Sequence, residues 1–334
     1  MPKPARIFAA LTTAELRDFL PEPLLGEIHS LATEFLIFDP TGRSVDDFNH
    51  ALQSAHPEIL IAAWKTPPLP LDFPPRLRYA CYLCGSVKNL ITREHLERGL
   101  LVTNWGGSIS RIVAEWALFH TLCGLRRASY WSIAMHTQGA WKSSDTATAS
   151  LFGRKVGIHG FGMVARQLVL LLAPFGCAIS AHAPDVDATL AAQWSIRPEP
   201  SLDALFADND IIVELAPLIP ETVGIVTERL LRRIQPGGVF VNLGRGAVVD
   251  EAGLVAVARE GRVSFGLDVY AHEPLPPDHP LRGLPNVMLT PHIGGPTTDR
   301  RRDAGNFALK NLRAYAENRP MEAVVTPAVF AVTS

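Results

Sequence analysis

The chain has 334 residues, of which 47% are hydrophobic and 19% are charged, and its formal net charge is −2. This length is sufficient for two ordinary domains, and the near-neutral charge excludes a broad basic field for nucleic acid or an anionic membrane. Apolar runs are short and the first residues lack a signal-peptide pattern, so a cytoplasmic protein without membrane spans is expected.

Short apolar runs alternate with helical patterns in the first third of the chain, which predicts a parallel α/β sheet. Cys81 and Cys84 form a C-x-x-C pair inside one of these runs. Because no second pair and no suitably spaced histidine accompanies them, we interpret them as small core residues and predict no metal site. The predicted strands are RIFAAL (6–11), EFLIFD (34–39), EILIAAW (58–64), LRYACYL (77–83) and LVTN (101–104).

A second α/β series follows the middle of the chain. A long helix is predicted over residues 109–127, and the polar stretch 128–150 is interpreted as an irregular excursion around the body of the protein. A final helix over about 299–317 is expected to return and pack on the first domain. The strands predicted between them are KVGIHG (155–160), CAISAH (177–182), DIIVEL (210–215), GGVFVNLG (237–244), SFGLDV (264–269) and NVMLTP (286–291).

A glycine-rich turn joins the first strand of this second series to a helix. It reads Gly160-x-Gly162-x-x-Ala165. The first glycine permits a tight turn, the second lets backbone approach a pyrophosphate, and the small third residue permits close packing of helix on strand. Since the helix N-terminus offers free N–H groups and a positive dipole end, the pattern and its placement favour dinucleotide binding.

The acidic residue expected about 20 positions later, which would bind the adenosine ribose, is absent. Ala183 occupies the strand-end position and the nearest carboxylate is Asp185; His182 is another possible partner. No arginine or lysine follows closely to hold a 2′-phosphate. The cofactor is therefore predicted to be NAD, because Asp185 would repel a phosphate, with NADP left open.

Three chemically distinctive residues follow strands of the second series: Arg245, Glu273 and His292. In an open α/β sheet, ligands bind at the carboxyl ends of the strands. These strand ends are therefore expected to bring a cation, a carboxylate and an imidazole together. Singly, each residue is equally typical of a surface ion pair, a turn or a structural histidine.

The chain resembles the D-isomer-specific 2-hydroxyacid dehydrogenases. The resemblance rests on GIHGFGMVA, APLIPET, NLGRGAVVDEAGL, GLDVYAHEP and TPHIGGPT, which occur in the family's order, and it covers residues 113–296. It implies two doubly wound parallel-sheet domains, Rossmann-like or flavodoxin-like, with an active-site cleft between them. Residues 1–104 plus 294–334 would form the substrate-binding (catalytic) domain and 105–293 the dinucleotide-binding domain.

The resemblance also implies roles for individual residues. A nicotinamide would supply hydride to a 2-keto acid, and His292 would donate the proton. Glu273 would orient the imidazole and favour its protonated form, and Arg245 would hold the substrate carboxylate. Backbone N–H groups of Gly85, Ser86 and Val87 would also bind that carboxylate. Further cofactor contacts are implied for Gly160, Gly162, Met163, Val164, Ala183, Ala216, Pro217, Thr222, Leu243, Gly244, Arg245, Asp268 and His292.

Departures from the family pattern bear on the substrate. The run Gly85-Ser86-Val87-Lys88 stands where relatives often carry glycine-x-aspartate, and Ile109 replaces a frequent asparagine. The particular 2-hydroxy acid and the favoured direction therefore stay open. Trp141 matches a tryptophan of the excursion that wraps a partner subunit in relatives, which implies a homodimer.

The leading functional hypothesis is a reductase of small 2-keto acids of the glyoxylate or hydroxypyruvate kind. An alternative is an NAD(H)-responsive binding protein, like the transcriptional corepressors that share this fold. Oxidation of formate or phosphite is a third hypothesis, and Glu273 disfavours formate, because formate-type enzymes generally carry glutamine there.

Overall fold

The computed structural model describes residues 6–332, which form two compact units. Unit 1 comprises residues 6–109 and 296–332 of this range, and unit 2 comprises residues 110–295. Each unit is built on its own parallel sheet, which confirms the predicted fold class of two parallel-sheet α/β domains. No helix within residues 6–332 is long and apolar enough to span a membrane.

Twelve strands are present in the described chain, and each predicted apolar run contains one of them. Their bounds are β1 (Ile7–Ala10), β2 (Phe35–Phe38), β3 (Ile59–Ala62), β4 (Tyr79–Tyr82), β5 (Leu101–Thr103), β6 (Lys155–His159), β7 (Ala178–His182), β8 (Arg197–Pro198), β9 (Ile211–Glu214), β10 (Val239–Asn242), β11 (Ser264–Leu267) and β12 (Val287–Leu289).

The described helices lie between these strands and after the last one. They are α1 (Thr13–Phe19), α2 (Leu24–His29), α3 (Val45–Ala55), α4 (Arg93–Glu97), α5 (Ser110–Arg126), α6 (Ala128–Gln138), α7 (Met163–Leu172), α8 (Ala188–Trp194), α9 (Leu202–Asp208), α10 (Glu228–Leu231), α11 (Glu251–Arg259), α12 (Arg301–Ala316) and α13 (Pro327–Val332).

Unit 1 contains a five-stranded sheet in the order β2-β1-β3-β4-β5, and all of its strand pairs are parallel. Every residue of β1, β3 and β4 is buried, as expected where helices cover both faces of a sheet. Cys81 and Cys84 lie in this core, 1% and 0% exposed. Burial raises the pKa of the Cys81 thiol to about 11, so it stays a neutral core residue.

Unit 2 contains a seven-stranded parallel sheet in the order β12-β11-β10-β9-β6-β7-β8. From β6 the chain first builds outward through β7 and β8, then returns to place β9 on the other side of β6. The order of the strands therefore reverses between β6 and β9. In open α/β sheets, ligands bind in the crevice outside such a switch point.

Two elements of unit 2 differ from the sequence predictions. The stretch 128–150, interpreted as an irregular excursion, begins with helix α6. This helix has no clear apolar face, since Ile133 is 61% exposed and Met135 49%, and Ala134 is its buried residue. Hydrophobic periodicity therefore gives no signal for it. Strand β8 was not predicted either, because its two residues, Arg197 and Pro198, are both exposed.

Helix α12 belongs to unit 1 and packs on α1 and α2. Arg301 pairs with the buried Asp18 at 2.7 Å. At Gly305 the helix backbone approaches α1 so closely that a Cβ would lie 1.8 Å from the carbonyl oxygen of Phe19.

We expect Gly305→Ala to lower the thermal unfolding midpoint, although alanine is the better helix former. The added methyl group forces α12 away from α1, at a cost of about 1–3 kcal/mol. Calorimetry or circular dichroism would measure the shift. Asn306→Ala, at the neighbouring exposed position, should leave the midpoint nearly unchanged, and equal midpoints for both variants would refute the packing argument.

Candidate active site

The glycine loop lies between β6 and α7 at the carboxyl edge of the seven-stranded sheet. Gly160 has φ +82°, and a Cβ there would lie 2.7 Å from the backbone N and Cα of Ala216. A Cβ at Gly162 would meet no described atom within 4 Å. Gly162 is the N-cap of α7, whose first N–H groups, from Met163 and Val164, have no partner inside the helix. The loop thus offers open space in front of a helix N-terminus, which fits a diphosphate.

The loop after β9 faces the glycine loop. Ala216 is 3% exposed, whereas Pro217 is exposed. The Thr222 hydroxyl donates to the Pro217 carbonyl at 2.6 Å and accepts from the Ile219 N–H at 2.9 Å. Thr222 therefore stabilises its own loop.

The loop after β7 carries the residues expected near the adenosine ribose. Ala183 follows β7 and is partly exposed, and Asp185 is exposed.

Arg245 follows β10 in a loop held by Asn242. The Asn242 side chain accepts from the Gly244 N–H at 3.0 Å and donates to the Arg245 carbonyl at 3.2 Å. The Leu243 N–H donates to the Glu214 carbonyl at 3.3 Å, which ties this loop to β9. Arg245 is partly buried, and burial lowers the pKa of its guanidinium, while the nearby Glu273 carboxylate acts in the opposite direction.

Gly246 brings the Arg245 loop against the segment that carries Glu273. A Cβ at Gly246 would lie 1.8 Å from the carbonyl carbon of Tyr270 and 2.4 Å from the N atom of Ala271. No side chain fits in that space. The Glu273 carboxylate is oriented within the same segment, where its Oε1 accepts from the Tyr270 N–H at 3.0 Å.

Glu273 and His292 form a direct hydrogen bond of 2.6 Å between Oε2 and Nδ1. The imidazole is 47% exposed, and its Nε2 has no hydrogen-bond partner within residues 6–332. His292 has φ +53°, a left-handed conformation that is uncommon outside glycine. The structure thus brings together the cation, the carboxylate and the imidazole that the sequence places at three strand ends.

Asp268 holds the loop that carries His292. It is 2% exposed, and its carboxylate accepts from the Thr290 hydroxyl at 2.6 Å and from the N–H groups of Ile293 and Gly294 at 3.0 and 2.7 Å. Trp116 of α5 adds an Nε1–H bond of 3.3 Å. The family resemblance implies a cofactor contact for Asp268. These bonds stabilise the backbone directly after His292.

His120 of α5 lies beneath the same loop and was not singled out from the sequence. It is fully buried, and its Nε2 lies 3.1 Å from the Thr290 hydroxyl. Burial lowers the pKa of His120 to about 4, against the opposing effect of Asp268. Its imidazole is therefore neutral at pH 7. The local sequence around His120 gives no functional signal.

The predicted carboxylate loop lies in unit 1, after β4. Gly85 and Ser86 are partly exposed and the Val87 side chain is buried. Trp105 lies over Gly85, where a Cβ would be 2.8 Å from the indole ring. The Asn104 amide donates to the Gly85 carbonyl at 2.9 Å and fixes the loop from the side.

Comparison with known proteins identifies the family of this chain. The family model for the NAD-binding domain of D-isomer specific 2-hydroxyacid dehydrogenases matches residues 118–294. A hydroxyphenylpyruvate reductase of Plectranthus scutellarioides is 34% identical over 239 residues, covering 70% of this chain and 72% of the relative. A glyoxylate reductase from Paecilomyes thermophila has a similar structure, with TM-score 0.78 and 25% identity over 97% of this chain and 99% of that one.

A D-3-phosphoglycerate dehydrogenase of Mycobacterium bovis is 35% identical over 242 residues, which are 72% of this chain. The match covers 45% of that relative, so this chain spans about half the length of such proteins. The chain belongs to the D-isomer specific 2-hydroxyacid dehydrogenase family, a family of nicotinamide-dependent oxidoreductases. The predicted family and its NAD-binding domain are thereby confirmed.

We expect Asp268→Asn to destabilise the protein. The amide replaces an acceptor by a donor, so at least one of the four donors around residue 268 is left unpaired, at a cost of about 1–3 kcal/mol. Thermal unfolding would show this loss, with Asp278→Asn at an exposed position as the control. If the midpoints of the two variants agree, the bonds to the His292 loop do not stabilise the fold.

His120 gives a second expectation, for acid stability. Its folded-state pKa of about 4 lies below the unfolded value of 6.5, so the unfolded chain binds more protons between these values. Above pH 6.5 the imidazole is neutral in both the folded and the unfolded chain, so its burial carries no protonation penalty. As the pH drops towards 4, the free energy of unfolding falls by up to about 2–3 kcal/mol. The thermal unfolding midpoint should therefore decrease less between pH 7 and pH 5 in His120→Gln than in the wild type. An equal loss would show that His120 is not the titrating group.

Proposed function

We propose that this protein is a nicotinamide-dependent reductase of small 2-keto acids, acting through Arg245, Glu273 and His292, and that in the reverse direction it oxidises D-2-hydroxy acids. The observation that carries the proposal is the 2.6 Å hydrogen bond between Glu273 and His292 beside the guanidinium of Arg245. A carboxylate that orients an imidazole next to a fixed cation provides a proton donor and an anion-binding group in one place.

Binding of the dinucleotide is assigned to the edge of the seven-stranded sheet. The diphosphate would lie against Gly160, Gly162 and the N–H groups of Met163 and Val164. The adenosine half would lie near Ala183, Ala216, Pro217 and Thr222, and the nicotinamide half near Leu243, Gly244 and Asp268. We favour NADH over NADPH, because the exposed Asp185 would repel a 2′-phosphate.

The reduction needs a hydride at the carbonyl carbon and a proton at the carbonyl oxygen. A bound nicotinamide supplies the hydride. His292 holds the proton on Nε2, the nitrogen that points away from Glu273, and releases it to the oxygen. Arg245 binds the carboxylate through its fork of donors and polarises the neighbouring carbonyl. The N–H groups of Gly85, Ser86 and Val87 are proposed as further carboxylate donors.

A homodimer is proposed for the assembly. Trp141 is 73% exposed in the single chain, and tryptophan is enriched in protein–protein interfaces. Size-exclusion chromatography with light scattering would give the mass, and a monomer at assay concentrations would contradict the dimer.

The test of the proposed reaction is an assay of the purified protein with NADH or NADPH. The substrates are glyoxylate, hydroxypyruvate, pyruvate, phenylpyruvate and longer 2-keto acids. We expect oxidation of the coenzyme with at least one acid, and a higher kcat/KM with NADH. Absence of turnover with every acid, together with NADH-dependent capture of a protein partner, would favour a binding protein instead.

Replacement of the proton donor gives a sharper prediction. His292→Gln should lower kcat by about 10²–10⁴-fold, because general acid catalysis contributes that much, while the Kd for NADH changes little. His272→Gln, at an exposed position in the same segment as Glu273, is the matched control. Wild-type turnover in His292→Gln would show that His292 is not the proton donor.

A further inference from the structure

A buried polar pair lies at the switch point of the seven-stranded sheet. His159 is the last residue of β6 and Glu214 the last residue of β9, and the two are direct partners in the parallel register. The Nδ1 atom of His159 and the Oε2 atom of Glu214 are 2.5 Å apart. Glu214 is 0% exposed and His159 5% exposed. The pair therefore lies at the carboxyl ends of β6 and β9, the two neighbouring strands at which the strand order reverses and the ligand crevice is expected.

The second oxygen of Glu214 is also used. Its Oε1 accepts a 2.8 Å hydrogen bond from the N–H group of Ala216, two residues along the chain. The carboxylate thus joins the imidazole of β6 to the backbone of the loop that follows β9. A side chain without an acceptor at position 214 would leave this N–H group buried and unpaired.

The backbone held in this way is the one that touches the glycine loop. The N and Cα atoms of Ala216 lie 2.7 Å from where a Cβ of Gly160 would be. The Leu215 N–H also donates to the His159 carbonyl at 2.9 Å. The two backbones are therefore too close for any side chain at position 160, so a movement of Ala216 towards the glycine turn would displace that turn.

A second histidine lies close to the pair, since the ring centroid of His182 on β7 is 6.1 Å from that of His159. His182 is itself fixed, since its Nδ1 lies 2.9 Å from the Glu199 carbonyl. Buried pairs of this kind are poor sources of stability, because desolvation offsets their attraction and apolar residues of similar volume serve as well. Their advantage is a defined geometry.

We propose that His159 and Glu214 are positioning residues for the dinucleotide, which fix Ala216 against the glycine turn and so set the shape of the adenosine and diphosphate site. The proposal rests on the proposed function, since it assumes that NADH binds at this edge. Neither residue takes part in proton or hydride transfer. Their loss therefore raises the Kd and the KM for NADH and leaves kcat at saturating NADH largely unchanged.

Three variants separate positioning from stability. Glu214→Leu removes the acceptor and leaves His159 unpaired. Glu214→Gln keeps an oxygen for the Ala216 N–H group and an amide that can donate to the imidazole. The double variant His159→Leu/Glu214→Leu replaces the whole pair by apolar side chains and should recover the part of the thermal unfolding midpoint that Glu214→Leu loses through the unpaired His159. Glu15→Leu removes a 5% exposed carboxylate from unit 1 and serves as the control for destabilisation alone.

The readouts are the Kd for NADH by fluorescence titration, the KM and kcat, and the unfolding midpoint. We expect a Kd raised about tenfold in Glu214→Leu, still raised about tenfold in the double variant, and within about threefold of the wild type in Glu214→Gln and Glu15→Leu. Wild-type affinity in Glu214→Leu or in the double variant would overturn the proposal. If the wild-type protein itself bound no NADH, the proposed function would fail as well, so the two failures are distinguishable.

Discussion

The parallel register of the seven-stranded sheet is the constraint on which the rest of the site depends. Because every strand runs in the same direction, the carboxyl ends of β6, β9, β10, β11 and β12 meet at one edge. Loops that follow different strands, and lie far apart along the sequence, therefore cluster at this edge. The strands supply the fixed frame, and the loops supply the glycine turn, the cation, the carboxylate and the imidazole.

Close backbone approaches and buried hydrogen bonds then fix the loops to each other. Gly246 allows the Arg245 loop to touch the segment before Glu273. Asp268 binds two consecutive N–H groups just after His292, whose backbone is left-handed. Glu273 and His292 are themselves exposed and Arg245 is partly buried, whereas Asn242 and Asp268, which hold their loops, are buried. Such preorganisation is what catalysis by fixed charges requires.

The sequence predicts the strands of this fold well, because buried parallel strands are continuous apolar runs bounded by glycine, proline and polar residues. It also predicts that Arg245, Glu273 and His292 come together, since all three follow strands of one parallel sheet. Helix α6 was missed, because its apolar residues do not share one face. The partners of Asp268 were missed for a different reason: Trp116 lies 152 positions away along the chain, and only the folded sheet brings it close.

His159 and Glu214 illustrate the same limit. In the sequence, His159 directly precedes the glycine motif and Glu214 is a single acid in an apolar run. Neither position alone indicates a function. Their pairing follows from the register of two strands that are 55 positions apart. Polar residues at the ends of neighbouring parallel strands are therefore worth testing as pairs once a strand order is known.

We propose that one edge of this sheet holds a nicotinamide dinucleotide beside a guanidinium and an imidazole that act on a 2-keto acid. A crystal structure with NAD⁺ and oxamate, an unreactive analogue of a 2-keto acid, tests it most directly. We expect the diphosphate at the N-terminus of α7, the oxamate carboxylate on the Arg245 guanidinium, and the carbonyl oxygen within hydrogen-bond distance of His292 Nε2. A dinucleotide bound elsewhere, or oxamate away from Arg245 and His292, would contradict it.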